Sequence, residues 1–337
     1  MYYETNNCYI LSTTSHKDLS LNLSKYTNIK ILNTKIEYFA NNEIRTSISS
    51  SVRGKNLFII TSPHNNNSKS INDYIMETYL LIKTCKRSDS GNITLICPCY
   101  PYARQDKKDN SRTCISARDI ADLFTNAGID RIVSLDLHSA QIQGFFNIPC
   151  DNFYCINMIY DYLVNNHDIN KEFDNKLNTK FVIVAPDEGA LKRVQVYANK
   201  FKMPFMVVSK ERDYSKVNNV ERAVLIGDKK YLEGRTAIII DDMLDTGGTV
   251  IKVGELLMSK GAKDVMVIVT HGILSDPAIE RINKTDYLKE VVVSNSLPQE
   301  EKKNRCPKLK TFSIVPMLSE VIIKLCKGGS LSQIFEN

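Results

Sequence analysis

Short apolar runs rich in Val and Ile alternate with amphipathic segments along the chain, and this alternation restricts the fold more than any other feature. Such runs are typical of strands buried in a parallel sheet, and parallel strands are joined by helices. The pattern therefore predicts an α/β fold with largely parallel sheets flanked by helices. The predicted strands are residues 8–12, 29–32, 57–61, 93–97, 131–135, 181–185, 205–208, 237–240, 265–269 and 290–293.

Two helices between these strands have clear signals. Residues 71–86 place their apolar side chains mostly on one side, as an amphipathic helix does. Residues 116–127 begin at Ser116, with Asp119 three positions later, and are followed by Gly128. A hydroxyl, an acid three residues on and a terminal glycine are typical of helix caps. We therefore expect Ser116 to open the second helix.

The chain has enough residues for two domains. It contains 337 residues, of which 43% are hydrophobic and 24% charged, as is usual for globular proteins. The polar stretch 165–180 separates two halves that each contain predicted strands. We expect an N-terminal domain over residues 1–160 and a C-terminal domain over 161–337, with the C-terminal tail packing on the first. The HNNN sequence at 64–67 is interpreted as compositional drift in a loop.

Composition also restricts the cellular location and the classes of binding partner to expect. No apolar run approaches the roughly 20 residues of a membrane span, and the first ten residues do not have the pattern of a secretory signal. The nine cysteines show neither zinc spacing nor a disulfide framework, so a reducing, cytoplasmic location is expected. The net charge of +6 suits small anionic substrates. Because the basic clusters are mixed with acids, we expect neither a nucleic-acid nor a membrane partner.

The segment AIIIDDMLDTGGTVIKVG, residues 237–254, is the strongest candidate site. It predicts a strand, a loop over Asp241–Thr249 and a helix, and open α/β sheets bind ligands at such carboxyl ends of strands. Backbone amides at a helix N-terminus favour a phosphate, and Gly247 and Gly248 allow its close approach. The two adjacent acids fit a ligand that also carries hydroxyl groups, which indicates a sugar phosphate. The alternative is an ordinary turn with solvated acids.

A second candidate segment, PCYPYARQDKKDNSR, covers residues 98–112 and follows the predicted strand 93–97. Tyr100 and Tyr102 offer ring faces for stacking a base. The basic and amide side chains could bind phosphates. They are Arg104, Gln105, Lys107 and Lys108. A solvated charged loop is the alternative interpretation.

Three further segments also follow predicted strands. Asp136 and His138 are expected on the same side at the end of strand 131–135, where they could hold a divalent metal, although such a His is more often a core residue. Asp187 and Glu188 are either metal-ligand candidates or helix-capping acids. Residues 209–218 are expected to form a polar loop that either closes over phosphate charge or has no role.

Taken together, these segments resemble the ribose-phosphate diphosphokinases, or phosphoribosyl pyrophosphate synthetases. The resemblance covers nearly the whole chain, through TSHKDL, FANNE, PCYPYARQDKKDNSR, KER, DDMLDTGGT, THGILSDPAIERI, NSLPQE and GGSLSQIF. The sixteen residues from Asp136 to Asp151 are the most diagnostic stretch. The resemblance implies two tandem phosphoribosyltransferase-like domains, each with a mostly parallel central sheet. It also implies transfer of the diphosphoryl group of ATP to the 1-hydroxyl of ribose 5-phosphate, with Mg²⁺ as cofactor and AMP as product.

The resemblance implies roles for individual residues. The ribose 5-phosphate site would comprise Asp241, Asp242, Asp245, Thr246, Gly247, Gly248 and Thr249. The ATP site would comprise Phe39, Asn41 and Glu43, supplied by a neighbouring subunit, with Arg104, Gln105 and Asp109. Metal positions would be His138, Asp187, Asp136 and Asp151, and the catalytic loop would supply Lys210 and Arg212.

Regulation and assembly are also implied. The family assembles as hexamers built from dimers, and many members are activated by inorganic phosphate and inhibited by ADP. The residues matching the regulatory phosphate site are Ser51, Arg53, Ser111, Arg112, Ser330 and Ser332. We therefore expect a homo-oligomer that responds to phosphate.

The sequence departs from the family pattern at several places. Asn147 stands where many relatives have aspartate, and Glu188 stands where relatives commonly have alanine. Glu188 would add negative charge beside the metal or the sugar, and the stretch 165–180 is longer than usual. A phosphoribosyltransferase and a non-catalytic regulatory homologue are the alternative functions. The first leaves the segments around Arg104 and Asp136–Asp151 unexplained, and the second contrasts with the intact catalytic and sugar-phosphate loops.

Overall fold

The computed structural model describes residues 7–167, 169, 180–212 and 221–336, and for residues 210–212, 221, 222 and 336 it describes the backbone alone. The chain divides into two compact units. One consists of Met1–Cys155 and Ser313–Asn337, and the other of Ile156–Phe312. The expected domain boundary near residue 160 remains a prediction.

The first unit is built on a five-stranded parallel sheet. Up to Cys155 its elements are β1 Cys8–Ser12, α1 Lys17–Thr27, β2 Thr34–Tyr38, β3 Ile44–Ile48, β4 Asn56–Ile60, α2 Ile71–Arg87, β5 Ile93–Ile96, α3 Ser116–Ala127, β6 Arg131–Leu135 and β7 Cys150–Phe153. The strand order is β1-β4-β5-β6-β7, and every neighbouring pair is parallel. The central strands are almost wholly apolar and buried, as strands covered on both faces are.

Strands β2 and β3 form a separate antiparallel hairpin that belongs to no larger sheet. Its side chains are half-buried or exposed, unlike those of the parallel strands. The predicted strand 29–32 is wrong, since only Ile31 forms a bridge, to Ile10. After Ile31 the chain turns away from β1 and enters β2 at Thr34, so residues 29–32 form no ladder with β1.

The second unit is built on a seven-stranded sheet. Its elements are α4 Ile156–Asn166, β8 Phe181–Ala185, α5 Leu191–Phe201, β9 Phe205–Arg212, β10 Glu221–Ile226, β11 Thr236–Leu244, α6 Gly248–Ser259, β12 Asp264–Gly272, α7 Ala278–Lys284, β13 Leu288–Ser294, α8 Glu300–Arg305 and β14 Leu309–Phe312. The strand order is β10-β9-β8-β11-β12-β13-β14. Only the edge strand β10 runs antiparallel to its neighbour. The predicted α/β fold class with parallel-dominated sheets is therefore confirmed.

Two helices complete the first unit after the chain leaves β14. They are α9 Val315–Cys326 and α10 Ser332–Glu336. Helix α9 packs against α1, and its apolar side is buried. Phe335 of α10 stacks on Phe153 at the end of β7, with ring centroids 4.4 Å apart.

Several predicted boundaries differ from the structure. Strand β11 continues to Leu244, so the expected loop from Asp241 is shorter, because β12 pairs with this extension as far as Gly272. Strand β9 continues through residues 209–212 because β10 pairs with them, so the polar loop predicted from 209 is wrong there. Helix α3 begins at Ser116 as predicted, but its N-cap is Ile115. The Ser116 hydroxyl instead donates to the Gln105 side chain.

Candidate active site

An arginine bridges the two adjacent carboxylates of the second unit. Asp241 and Asp242 lie in the carboxyl-terminal half of β11, and Arg193 lies in the first turn of α5. The Arg193 Nη1 atom is 3.1 Å from Oδ1 of each aspartate. Asp242 is buried, and the other two side chains are largely buried. The bridge holds both acids near the carboxyl end of β11, the central strand of the sheet, and offsets their mutual repulsion.

Burial is the largest influence on the pKa of Asp241. Removal from water raises the pKa of Asp241 well above its ordinary value, and the neighbouring Asp242 charge and hydrogen bond add to that increase. The Arg193 charge and the backbone N–H of Asp242 act in the opposite direction. Asp241 is therefore easier to protonate than a solvated aspartic acid, despite the nearby Arg193 guanidinium. Its oxygens can still accept hydrogen bonds from hydroxyl groups.

The turn after β11 has the geometry of an anion site. Residues 245–247 join Leu244 to α6, which begins at Gly248. Gly247 has φ 78°, a left-handed conformation that glycine adopts without strain. An added Cβ there would meet no heavy atom closer than 3.8 Å, so backbone conformation is the reason for glycine. Amides at the start of this 12-residue helix are unpaired within the helix and can donate to a phosphate.

Two cations flank this turn. Arg281 Nη1 donates to the Thr246 carbonyl at 2.8 Å, which fixes the backbone of the turn. Lys302 of α8 donates from Nζ to the Ile273 carbonyl at 2.5 Å. Burial lowers the pKa of Lys302, while the charges of nearby acids, including Asp245, raise it. Neither residue was identified from the sequence, because nothing in its spacing relates residues 281 and 302 to the turn at 246.

Asp187 and Glu188 each make a specific local contact. Asp187 Oδ1 accepts from the Ala190 backbone at 3.2 Å and caps the 3-10 turn Glu188–Ala190. The Glu188 carboxylate accepts from the Ser209 hydroxyl at 2.7 Å. Ser209 lies in β9 immediately before Lys210. Glu188, which stands where relatives commonly have alanine, is therefore hydrogen-bonded through Ser209 to the base of the β9–β10 hairpin.

The candidate catalytic cations lie on this hairpin. Lys210 pairs with Ala223 and Arg212 pairs with Glu221 in the antiparallel ladder. Their side chains, and all of residues 213–220, lie outside the part of the chain that the structure describes.

In the first unit, the expected adenine-contacting residues occupy the turn of the β2–β3 hairpin. The Phe39 N–H donates to the Glu43 carbonyl and the Asn42 N–H to the Phe39 carbonyl, both at 2.9 Å. Asn41 Oδ1 accepts from the Glu43 N–H at 3.2 Å. Phe39 is 52% exposed. The turn therefore presents an aromatic ring on an ordered backbone.

The segment after β5 places its residues differently from expectation. Tyr100 is buried, and its hydroxyl donates to the Ala117 carbonyl at 2.9 Å, so the expectation that it stacks a base is wrong. Gln105 accepts from Ser116, and its carbonyl accepts from the Ala117 N–H at 3.1 Å, which anchors the segment to α3. Arg104 and Asp109 are exposed.

The expected metal residues of the first unit have contrasting surroundings. Asp136 is fully buried, and its Oδ2 accepts from the Cys155 N–H at 2.9 Å. Asp151 is 2.5 Å from Arg131 Nη1, whereas His138 is exposed. The expectation that Asp136 and His138 share one side of a strand is wrong, since β6 ends at Leu135 and Asp136 has φ 39°. No cluster of three or more His, Cys, Asp or Glu side chains suited to a metal occurs within the described ranges.

The expected regulatory residues lie in three separate segments of the first unit. Arg53 Nε is 3.3 Å from Asp89 on the surface. Ser330 donates to the Ser332 hydroxyl at 3.0 Å just before α10. Ser51, Ser111 and Arg112 are exposed. Nothing in these contacts distinguishes a phosphate site from ordinary surface structure.

Comparison with known proteins places these features in a family. The family model for the N-terminal domain of ribose phosphate pyrophosphokinase matches residues 8–128, and that for the phosphoribosyl synthetase-associated domain matches 223–336. The phosphoribosylpyrophosphate synthetase of Mycobacterium smegmatis is 36% identical, with a TM-score of 0.84. That match covers 96% of this chain and 100% of the other.

Two phosphoribosyltransferase structures also match, with low TM-scores. The purine phosphoribosyltransferase of Pyrococcus horikoshii is 14% identical with a TM-score of 0.28, covering 49% of this chain and 93% of that one. The adenine phosphoribosyltransferase of Trypanosoma brucei is 17% identical with a TM-score of 0.29, covering 45% and 68%. Neither carries weight here. Among the described residues, no helix has the length and apolar character needed to cross a membrane.

Proposed function

The chain belongs to the ribose-phosphate pyrophosphokinase family, and we propose from this that it is a ribose-phosphate diphosphokinase. It transfers the diphosphoryl group of ATP to the 1-hydroxyl of ribose 5-phosphate, giving 5-phosphoribosyl 1-diphosphate and AMP. The observation that carries this function is the 36% identity to a synthetase of that kind over 96% of this chain and all of the other. The TM-score of 0.84 over this range shows that the two chains share one architecture.

The second unit binds the sugar phosphate. Asp241 and Asp242 accept hydrogen bonds from the ribose hydroxyls, and the turn 245–249 receives the 5-phosphate on backbone amides and threonine hydroxyls. The proposal is supported by the Arg193 bridge, which fixes both carboxylates, and by the left-handed Gly247. Carboxylates beside an anion site repel a bare phosphate, so the arrangement favours a ligand with both a phosphate and neutral hydroxyls.

The first unit supplies the nucleotide contacts. The turn carrying Phe39, Asn41 and Glu43 contacts the adenine bound to a neighbouring copy, which makes a homo-oligomer, a hexamer built from dimers, part of the proposal. Arg104, Gln105 and Asp109 bind the rest of ATP. Support comes from the exposed ring of Phe39 on an ordered turn and from the exposed Arg104 after a central strand.

The transfer asks the protein for alignment and charge stabilisation. The sugar 1-hydroxyl oxygen attacks the β-phosphorus of ATP and forms a new O–P bond. The bond from the β-phosphorus to the oxygen that it shares with the α-phosphorus breaks, and AMP leaves with that oxygen. The hydroxyl proton passes to a base or to solvent. Lys210 and Arg212 offset the negative charge that grows on the transferred group. Loss of one such cation commonly reduces the rate by about 10² to 10³.

Magnesium is the cofactor of this proposal. Mg²⁺ typically keeps several waters and uses one or two protein ligands together with substrate phosphates, so the described residues fit it without a protein cluster. His138, Asp187, Asp136 and Asp151 are each proposed as a metal ligand. Asp136 also accepts from the Cys155 N–H, and Asp151 also pairs with Arg131. When bound, the ion neutralises phosphate charge.

Regulation and location complete the proposal. Inorganic phosphate activates through Ser51, Arg53, Ser111, Arg112, Ser330 and Ser332. All nine cysteines are free thiols and seven of them are buried, which fits a reducing cytoplasm.

The test is to incubate the purified protein with Mg²⁺, ATP and ribose 5-phosphate, with and without inorganic phosphate, and to quantify AMP. Sugar-dependent AMP release supports the diphosphokinase. Reaction of a base with 5-phosphoribosyl 1-diphosphate, without AMP release, would indicate a phosphoribosyltransferase. Inactivity in both assays with retained folding would indicate the non-catalytic homologue.

A further inference from the structure

Glu77 is a fully buried carboxylate that no role above uses. It lies in α2, and its oxygens accept hydrogen bonds from three sources. The Tyr38 hydroxyl donates at 2.7 Å, the Thr14 backbone and hydroxyl donate at 3.0 and 2.8 Å, and Lys69 Nζ donates at 2.7 Å. A buried charge requires this degree of pairing, because burial removes its hydration and only hydrogen bonds and opposite charges within the protein compensate for that loss.

Lys69 is placed by the loop that contains the HNNN sequence. Asn66 Oδ1 accepts from the backbone N–H groups of Ser68 and Lys69 at 2.9 and 2.8 Å, and its Nδ2 donates to the Tyr74 hydroxyl at 2.8 Å. His64 stacks on the Tyr74 ring at 5.0 Å. The interpretation of this stretch as compositional drift is therefore wrong for Asn66, whose side chain builds the turn that places Lys69 beside Glu77.

Lys69 also contacts the hairpin that carries Phe39. Its ammonium lies 4.4 Å from the centre of the Tyr38 ring and 2.8 Å from the Thr14 hydroxyl. Tyr38 is the last residue of β2 and directly precedes Phe39. The Glu77 carboxylate and the Lys69 ammonium thus both contact Tyr38, the residue immediately before the turn of the hairpin.

The hairpin needs such an anchor. It is a two-stranded sheet with no ladder to the five-stranded sheet, and an isolated hairpin is marginally stable in water. In the middle of β3 the Thr46 hydroxyl lies 2.7 Å from that of Thr84 in α2 and 3.3 Å from the Leu80 carbonyl. Helix α2 therefore holds the hairpin along β3 and at Tyr38, and the Tyr38–Glu77 contact adjoins the turn.

We propose that Glu77, Lys69 and Tyr38 are positioning residues for nucleotide binding, holding the Phe39–Glu43 turn in the orientation that receives adenine. This inference rests on the function proposed above. It predicts that loosening the anchor weakens ATP binding, while the chemistry and the binding of ribose 5-phosphate stay intact.

Tyr38→Phe is the sharpest variant, because it removes one hydroxyl and keeps the ring under Lys69. A hydrogen bond to a charged group is worth about tenfold in an equilibrium, so we expect the KM for ATP to rise about 3- to 10-fold. The kcat should stay within about twofold and the KM for ribose 5-phosphate should not change. Lys69→Met should raise the KM for ATP further. The matched controls are Tyr26→Phe, at a 65% exposed side chain, and Lys25→Met, at an exposed one.

A second measurement does not depend on activity. Hydrogen exchange of the Asn42 and Glu43 amides should be faster in Tyr38→Phe and Lys69→Met than in the wild type and both controls. Unchanged exchange, or a lower kcat with an unchanged KM for ATP, would overturn the positioning role. If the wild type releases no AMP while exchange responds as expected, the proposed function fails and the anchor stands.

Discussion

Arg193 Nη1 lies 3.1 Å from a carboxylate oxygen of Asp241 and 3.1 Å from one of Asp242. Arg193 is 48 and 49 residues away from the two aspartates in sequence, and the three groups form the charged base of the proposed sugar site. Since both acids are largely removed from water, the guanidinium offsets their mutual repulsion.

Replacing Arg193 by Met should reduce both stability and sugar affinity. Breaking a buried ion pair by removing one partner costs about 3–5 kcal/mol. We expect a fall in the free energy of unfolding at the lower end of that range, and a KM for ribose 5-phosphate raised at least about tenfold. Denaturant unfolding and steady-state kinetics measure the two effects. Arg305→Met, at an exposed arginine of the same unit, is the control. Equal behaviour of the two variants would contradict the bridge.

Asp241→Asn should make the protein more stable near pH 7. The pKa of Asp241 is raised in the folded state, chiefly by burial, above its ordinary value of 3.8. The stability linked to this group is therefore fully present below pH 3.8 and is lost as pH rises through the folded pKa. The difference in Tm between Asp241→Asn and wild type should grow with pH and shrink towards pH 4. Asp286→Asn, at an exposed aspartate, should show no such trend.

Gly247→Ala should strain the turn 245–249 without a steric clash. A left-handed conformation costs a residue with a Cβ about 1–2 kcal/mol, and the new methyl group would make only ordinary van der Waals contact with Ala278, at 3.8 Å. We expect a higher KM for ribose 5-phosphate and an unchanged KM for ATP. Gly144→Ala, with no heavy atom within 4 Å of the new methyl group and no left-handed φ, is the control. A change confined to the KM for ATP would place the phosphate elsewhere.

Glu188 and Ser209 should be energetically coupled. Their hydrogen bond joins the turn after β8 to the base of the β9–β10 hairpin. A double-mutant cycle with Glu188→Ala and Ser209→Ala should give a coupling of about 0.5–1.5 kcal/mol in unfolding. The kcat of each single variant should fall by a similar factor, since both loosen the same hairpin. Strictly additive effects would show that the contact has no influence.

Lys210→Ala should lower turnover far more than affinity. A cation that acts only on developing charge contributes to kcat, and its loss should reduce kcat by about 10² to 10³. The KM values for both substrates should change by less than about threefold. Steady-state kinetics of Lys202→Ala, at the C-cap lysine of α5, provides the comparison. A small loss of kcat with a large rise in KM would make Lys210 a binding residue.

The parallel strands were predictable because they are apolar and buried along their whole length. Ile93–Ile96 and Phe181–Ala185 are fully buried, so every residue of each has the same preference for the core. The β2–β3 hairpin was missed because its strands are half-buried and mix polar with apolar residues. The extension of β9 was missed for a related reason, since an antiparallel edge pair tolerates polar side chains.

The candidate site was predictable where a motif is contiguous and not where it is assembled from distant residues. The segment around Asp241 and Gly247 combines a strand, two acids and a glycine turn in one stretch. Arg193 and Lys302 gave no signal, because their partners are remote in sequence. Tyr100 was misjudged since a tyrosine in a polar motif resembles a stacking residue, whereas its hydroxyl satisfies the Ala117 carbonyl in the core.

The most direct measurement follows the fate of the β-phosphorus. The protein is incubated with Mg²⁺, ribose 5-phosphate and ATP labelled at the β-phosphorus, and the nucleotide and sugar products are separated. Diphosphoryl transfer predicts the label in the sugar product, one AMP per sugar converted and no labelled ADP. Label retained in ADP, or in unreacted ATP alone, would contradict the account.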